Sequence, residues 1–422
     1  MSRALSTGLV SLLLAGNCIG LAQAYDDREE HGIDRPLTYA SIVKVTEKYG
    51  AVGALAPIVR IVSPINGTTV AAGESAVQAG SPNGTGFAVN LEIVTRDKIN
   101  VRAREANTPA PSIRHVPELQ AGANNPDFPG LYLFFDTELI TPDGTVFPKF
   151  HNFASAFNVL GTDDTPGPGV TLWAGWHVLE SIPQGVGEMT ITVAVVDAAG
   201  RIGLDRVKVK IDGSKGSGQA LTPAPETFVG GPGEEDPAGP EVSMIAPRVP
   251  TAIAVGPSDG SLNASNGSLF FIQVSALDRS GAGIAVNETG IREGNTLPAG
   301  LIFDPTQIPN VAQQTPSGPN RNYPGLVVTF DVPLRQPNGN VVPAGVNLAP
   351  LFDVAGSEID TASGAVRTTA DWVVGGSLVM PANKDTVTMT SSVTDNGGRK
   401  GSTRSVFAVS PTVSGQSLTP AP

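Results

Sequence analysis

Apolar and polar side chains alternate with a period of two in short runs along this chain, as expected for strands with one buried face. In Ile58-Val59-Arg60-Ile61-Val62-Ser63, Val59 and Ile61 point one way, Arg60 and Val62 the other. From Phe87 to Val94, Val89, Leu91 and Ile93 alternate with Asn90 and Glu92, which predicts one dry face and one wet face. Met189 to Asp197 is a further strand. The runs are separated by hairpin signals: Thr141-Pro142-Asp143-Gly144-Thr145, Gln336-Pro337-Asn338-Gly339-Asn340 and Asp197-Ala198-Ala199-Gly200-Arg201. In the first two, proline presets one turn residue and glycine accepts a positive φ. Leu37 to Tyr49 fits neither period cleanly and reads as a short helix or a strand.

These runs occur twice. Pro57 to Pro64 matches Pro240 to Pro247, and Phe87 to Val94 matches Phe270 to Leu277, both at an offset of 183. Phe128-Pro129-Gly130-Leu131 recurs as Tyr323-Pro324-Gly325-Leu326, at an offset of 195. Ser217 to Pro225 recurs as Ser414 to Pro422. The growing offset places insertions in the second copy, the largest step falling in the Pro- and Asn-rich stretch Leu297 to Asn322, a surface loop. The expected organisation is a signal peptide (1–24), a leader (25–56), repeat 1 (57–225), an acidic Gly/Pro linker (226–239) and repeat 2 (240–422).

The opening pattern Val59-x-Ile61-x-Ser63-Pro64, followed by Asn66-Gly67-Thr68, resembles the first strand and turn of bacterial Ig-like domains. Val193 to Arg201 resembles their last hairpin, in which an Asp-x-x-Gly turn joins two strands. The resemblance covers the two ends of each repeat. It implies an all-β chain of two tandem, elaborated antiparallel Ig-like β-sandwiches, and roles in adhesion, spacing or binding outside the cell. A repeat spanning 57–225 exceeds the ~100 residues of an ordinary Ig domain. Either the sandwich is elaborated in its middle or each repeat is a larger relative.

Composition adds the compartment. Arg3, the apolar run Leu5 to Ala15 and Ala22-Gln23-Ala24 form an export signal with cleavage expected before Tyr25. A lipoprotein anchored at Cys18 is the rival, weakened by Asn17 where a small residue is required. Cleavage removes the single cysteine, so the exported chain relies on hydrophobic cores rather than disulfides, which points to a bacterial protein. It also takes the net charge from −12 to −13 by removing Arg3. An acidic surface without a basic stretch makes nucleic acid and anionic membranes poor candidates as partners, and no segment is long and apolar enough for an integral membrane span.

Candidate chemistry is sparse. His31, His115, His151 and His177 have no zinc spacing. His177 and Glu180 lie three apart on a strand, hence on opposite faces. Carboxylates such as Asp136, Glu138 and Asp143 offer pairs for glycoside hydrolysis, as those of any acidic β protein do. Glu234, Glu235 and Asp236 offer hard ligands for calcium but lie consecutively, unlike the spaced ligands of calcium loops. Gly213 to Gly218 lacks the Walker spacing and reads as a connector. The most distinctive polar motif is Arg104-Glu105-x-Asn107-Thr108, matched by Arg292-Glu293-x-Asn295-Thr296. It reads as a structural polar cluster first and an interface second. Trp176 and Trp372 fall at near-equivalent positions and are expected in the cores, whereas Trp173, if exposed, would offer an aromatic contact to a sugar ring. Sequons begin at Asn66, Asn83, Asn263, Asn266 and Asn287 and read as turn chemistry. The matched tails, with Leu221 and Leu418 ahead of prolines, are expected to run extended along a sandwich edge. The whole reads as an exported, cofactor-free, non-enzymatic binding or structural protein of the periplasm, cell surface or medium, meeting a protein or glycan at the cell surface or a second copy of itself. An accessory carbohydrate-binding protein is the second reading and a secreted glycoside hydrolase a distant third.

Overall fold

The computed structural model describes residues 38–40, 42, 55–74, 87–95, 125, 128–141, 144–164, 170–178, 180–197, 200–216, 236–254, 270–286, 316–320, 323–336, 339–360, 362–374 and 376–410. In the unit Met1–Gly50, Tyr39, Ala40 and Ile42 are helical, with the Ile42 N–H on the Thr38 carbonyl. Both repeats lie in the unit Ala51–Pro422.

Repeat 1 forms β1 (Ile58–Ser63), β2 (Thr68–Gly73), β3 (Ala88–Val94), β4 (Leu131–Phe135), β5 (Leu139–Ile140), β6 (Val146–Phe147), β7 (Asn158–Asp164), β8 (Val170–His177), β9 (Glu188–Val196) and β10 (Ile202–Gly216). Repeat 2 forms β11 (Glu241–Ala246), β12 (Ala252–Ala254), β13 (Phe270–Asp278), β14 (Leu326–Phe330), β15 (Leu334–Arg335), β16 (Val341–Val342), β17 (Asp353–Asp360), β18 (Val366–Val374), β19 (Ser377–Leu378), β20 (Thr386–Thr394) and β21 (Lys400–Ser410). In repeat 1, β1-β3-β8-β7 faces β2-β10-β9-β4. This is the A-B-E-D and A′-G-F-C arrangement of an immunoglobulin-type sandwich. Repeat 2 reproduces it with β11-β13-β18-β17 and β12-β21-β20-β14. The strands pair antiparallel except where β2 lies parallel to β10 and β12 parallel to β21.

The repeats do not end where their sandwiches end. Two eight-stranded sheets run through both copies, in the orders β1-β3-β8-β7-β12-β21-β20-β14 and β11-β13-β18-β17-β2-β10-β9-β4. At the joins β12 pairs antiparallel with β7, and β2 with β17. The A′ strand of each repeat is therefore held on one side by its own G strand and on the other by its neighbour's D strand. The two joins are equivalent, so the repeats are related by a pseudo-twofold axis along the strands. Strands B, D and F of both copies finish, and C, E and G start, at the same end.

Each repeat keeps its own core. Val59, Ile61, Leu91, Phe135, Phe153 and Trp176 belong to the first, and Val242, Val274, Phe330, Phe352 and Trp372 to the second. Trp176 packs face to face with Phe153, and Trp372 with Phe330. The elaboration has a definite place: the C–D connection carries the β5/β6 or β15/β16 hairpin and the short 3-10 helix Ala154–Ala156 or Ala349–Leu351. The hairpin glycines adopt the positive φ expected of them, +87° at Gly144 and +86° at Gly339. Gly203 and Gly401 are required for another reason. A Cβ at either would strike a backbone carbonyl, that of Pro57 or Pro240, where A passes beside G.

Candidate functional site

The face carrying Asn90 and Glu92, expected to be wet, is dry. Asn90 and Glu92 are 1% and 0% exposed. The outward faces of the two A-B-E-D sheets pack against each other across the pseudo-twofold axis. Trp173 on β8 lies directly opposite Glu92 on β3 and is fully buried, its ring 6.2 Å from that of Phe271 on β13, with Ala246 and Val62 alongside. The aromatic contact considered for Trp173 required an exposed ring, and that face is taken by the neighbouring repeat, leaving none for a sugar.

Two carboxylates organise the polar part of this seam. The Glu92 Oε2 accepts hydrogen bonds from Arg60 Nη1 at 2.8 Å and from Arg248 Nη2 at 3.0 Å, and Arg248 Nε lies 2.6 Å from Oε1. Arg60 belongs to repeat 1 and Arg248 to repeat 2, so an intra-repeat pair is extended into a bridge between repeats. Glu358 on β17 is the second carboxylate. It accepts from Ser63 Oγ at 3.0 Å, the Ile65 N–H at 2.8 Å and Thr68 Oγ1 at 3.0 Å, all in repeat 1. Burial pushes its carboxyl above the usual range, against the three donors and Arg367, which favour the anion.

Other polar residues serve each sandwich separately and recur in both. Asn125 Nδ2 donates to the carbonyls of Ala154 and Phe157 while its oxygen accepts from the Phe128 N–H. Asn320 repeats every contact with Ala349, Phe352 and Tyr323. Asn152 and Asn347 accept from Leu133 and Val328, so the free sides of the edge strands β4 and β14 are capped. Asp205 takes the Ile61 N–H at the edge strand β1. Asp197 with Arg201, and Asp395 with Arg399, close the last hairpins by ion pairs.

The remaining candidates resolve as follows. Asp136 accepts from the Thr190 N–H and Asp331 from Thr388, so this carboxylate fastens strand C to strand F; Glu138 is exposed and Asp143 lies outside the described residues. His151 is buried among Phe147 and Phe153, and that burial lowers its pKa. Asp236 caps its own turn through the Ala238 N–H. Asn66 accepts from the Lys208 N–H, a bond to strand β10 rather than within its own turn. Arg104, Glu105, Asn107, Thr108, Arg292, Glu293, Asn295 and Thr296 lie outside the described residues, as do Glu234, Glu235, His31, His115, the tails and the other sequons. Among the described residues no group of three His, Cys, Asp or Glu side chains is arranged to hold a metal, and no helix is long and apolar enough to cross a membrane.

No protein-family model matches the chain, and no curated protein matches it either. Solved structures give a loose likeness. Dimeric latent PorU from Porphyromonas gingivalis is similar at 10% identity and a TM-score of 0.24, over 84% of this chain. This chain spans about a fifth of the length of PorU. The C-terminal domain of the Streptococcus agalactiae antigen I/II polypeptide BspA matches 83% of this chain and 99% of its own, at 10% identity and a TM-score of 0.15. The corresponding domain of Streptococcus pyogenes AspA matches 84% of this chain and 100% of its own, at 9% identity and a TM-score of 0.17. Superpositions this loose support no residue-by-residue correspondence.

Proposed function

We propose that the chain is an exported, non-catalytic structural or binding protein of the bacterial envelope or extracellular space, acting in adhesion, spacing or assembly. The observation that carries this reading is the use made of the duplicated polar residues. Asn125 and Asn320, Asn152 and Asn347, Asp136 and Asp331, and Asp197 and Asp395 all make hydrogen bonds inside their own sandwich. Duplication has preserved a scaffold, and a scaffold works by holding surfaces in fixed relation. The free sides of the edge strands β4 and β14 are capped against strand addition, and the turns are offered to a partner. With both repeats pointing the same way, those turns form a doubled set at one end, suited to a protein or glycan on a cell surface.

The reading is tested by fractionating producing cells and probing the intact protein on a glycan array and against surface proteins. Recovery at the envelope or in the medium, with a ligand competed by antibodies against the B–C, D–E and F–G end, is the expected result. Cytoplasmic retention, or hydrolysis of any arrayed glycan, overturns it.

A further inference from the structure

The two faces that meet at the seam are complementary to each other and not to themselves. Matched positions across the pseudo-twofold axis carry different residues. Trp173 has Thr369 as its counterpart, and Phe271 has Ala88. Glu92 is answered by Ser275, and Arg248 by Ile65. The large aromatic pair and the glutamate bridge therefore each form once, at one of two equivalent places, and only when repeat 1 meets repeat 2. Two copies of repeat 1 would set Glu92 against Ile65 and lose the second guanidinium from a fully buried carboxylate. Two copies of repeat 2 would set Arg248 against Ser275 and lose the Glu92 bridge. Like pairing therefore forgoes both the ring contact and the inter-repeat bridge, and that loss favours unlike pairing.

We propose that this seam is a recognition surface for a second copy of the chain: repeat 1 of one copy binds repeat 2 of another through the contacts that otherwise close the monomer. Each repeat has a complete core, so the seam joins two finished sandwiches and can be remade between molecules without unfolding either. The chain length between them sets which closure is available. β10 begins beside Pro57 at Gly203 and ends at Gly216, a run of ~43 Å at ~3.3 Å per residue. Asp236 is held by the Lys400 carbonyl at the start of β21, the opposite end of the strands. Gly216 and Asp236 therefore lie at opposite ends of the strands, with 19 residues between them. At full extension they reach ~63 Å, enough to close within one molecule, and closure wins at low concentration because the linked repeat is present at high effective concentration.

Shortening the linker separates the two outcomes. Without residues 224–231 the connection reaches ~36 Å and no longer spans the return, so the full-length chain is expected to double in mass, or more, by exchange, as read by light scattering. Two shortened chains then test the pairing rule. One carries Trp173→Glu, which damages the face of repeat 1; the other carries Phe271→Glu, which damages that of repeat 2. Each alone is expected to remain monomeric, and an equimolar mixture to form a 1:1 dimer through its single undamaged pair of faces. Dimerisation of either alone, or a monomeric mixture, overturns the proposal. Should the shortened chains misfold, the intact protein with a protease site in the linker gives the same answer after folding and cleavage. Cut halves that stay together and trade a tagged repeat 2 between preparations support it; halves that part or pair like with like overturn it.

Discussion

Repeat 1 and repeat 2 share an interior and differ on the outside. Their core tryptophans, asparagine brackets, Asp–Arg hairpins and carbonyl-facing glycines are superimposable devices. Their outward faces are not. On the A-B-E-D sheets, Trp173 and Glu92 in one copy correspond to Thr369 and Ser275 in the other. On strand C, Tyr132 and Phe134 of repeat 1 are buried, whereas Val327 in repeat 2 is 38% exposed. Interior residues are fixed by a packing problem that both copies solve alike. Outward residues answer to whatever lies next to each copy, which on the A-B-E-D sheets is the other copy.

The comparison makes its largest prediction at the aromatic pair. Trp173→Ala should cost ~3–5 kcal/mol in denaturant unfolding, as for a fully buried tryptophan, whereas Thr369→Ala at the matched position should cost ~1 kcal/mol or less. Equal losses would show that the seam is symmetric in energy and break the distinction. Arg248→Ala should cost ~2 kcal/mol, since Arg60 remains on Glu92 and both guanidinium groups are about half exposed. Importing the other copy's residues, Glu92→Ser with Arg248→Ile, should cost less than Arg248→Ala alone, because no buried charge is left behind. A double variant worse than the single would mean that the bridge contributes net stability.

A smaller effect tests the shared interior. Tyr323 is buried, and its hydroxyl finds no hydrogen-bond partner among the described residues, while its counterpart is Phe128. Tyr323→Phe is expected to stabilise the protein by ~1 kcal/mol, and Phe128→Tyr to destabilise it by a similar amount. Opposite signs in thermal melts are the outcome sought. The smallest effect concerns pH. The folded state raises the Glu358 pKa above its unfolded value of about 4.5, so the folded protein holds the proton more tightly. Stability should therefore fall as pH rises from about 4.5 through the raised value, and Glu358→Gln should remove that component of the slope. An unchanged slope in the variant would assign it elsewhere.

Much of this was legible in the sequence. Alternation in Val59 to Val62 and the Pro-Asp-Gly and Pro-Asn-Gly turns gave strands and hairpins, and duplication picked out Trp176 and Trp372 as core residues. The asparagine brackets carried a signal too: Asn125 and Asn320 stand three residues ahead of the repeated Phe/Tyr-Pro-Gly, at the same offset. The seam was not legible, for a physical reason. Alternation reports that Asn90 and Glu92 share a polar face but not whether a second domain covers it. Arg248 lies outside any strand pattern, so nothing local ties it to a carboxylate 156 positions earlier. Contacts between finished units leave residue types but no periodicity.

The common direction of the strands has a mechanical consequence. β1 starts at the end from which β2 and β10 run away in parallel, and β21 finishes at the far end beside β12. A pull applied between the start of β1 and the end of β21 therefore runs along the strands and across their ladders. Hydrogen bonds loaded in this way share the tension and rupture together, whereas a pull at right angles would open them one after another. Single-molecule stretching from these two points should give a high unfolding force, and attachment through β4 and β14, across the sheets, a low one. Equal forces in the two geometries would remove the case for tension-bearing. In the proposed adhesive role, the stiff direction is the one in which flow or motility would tug.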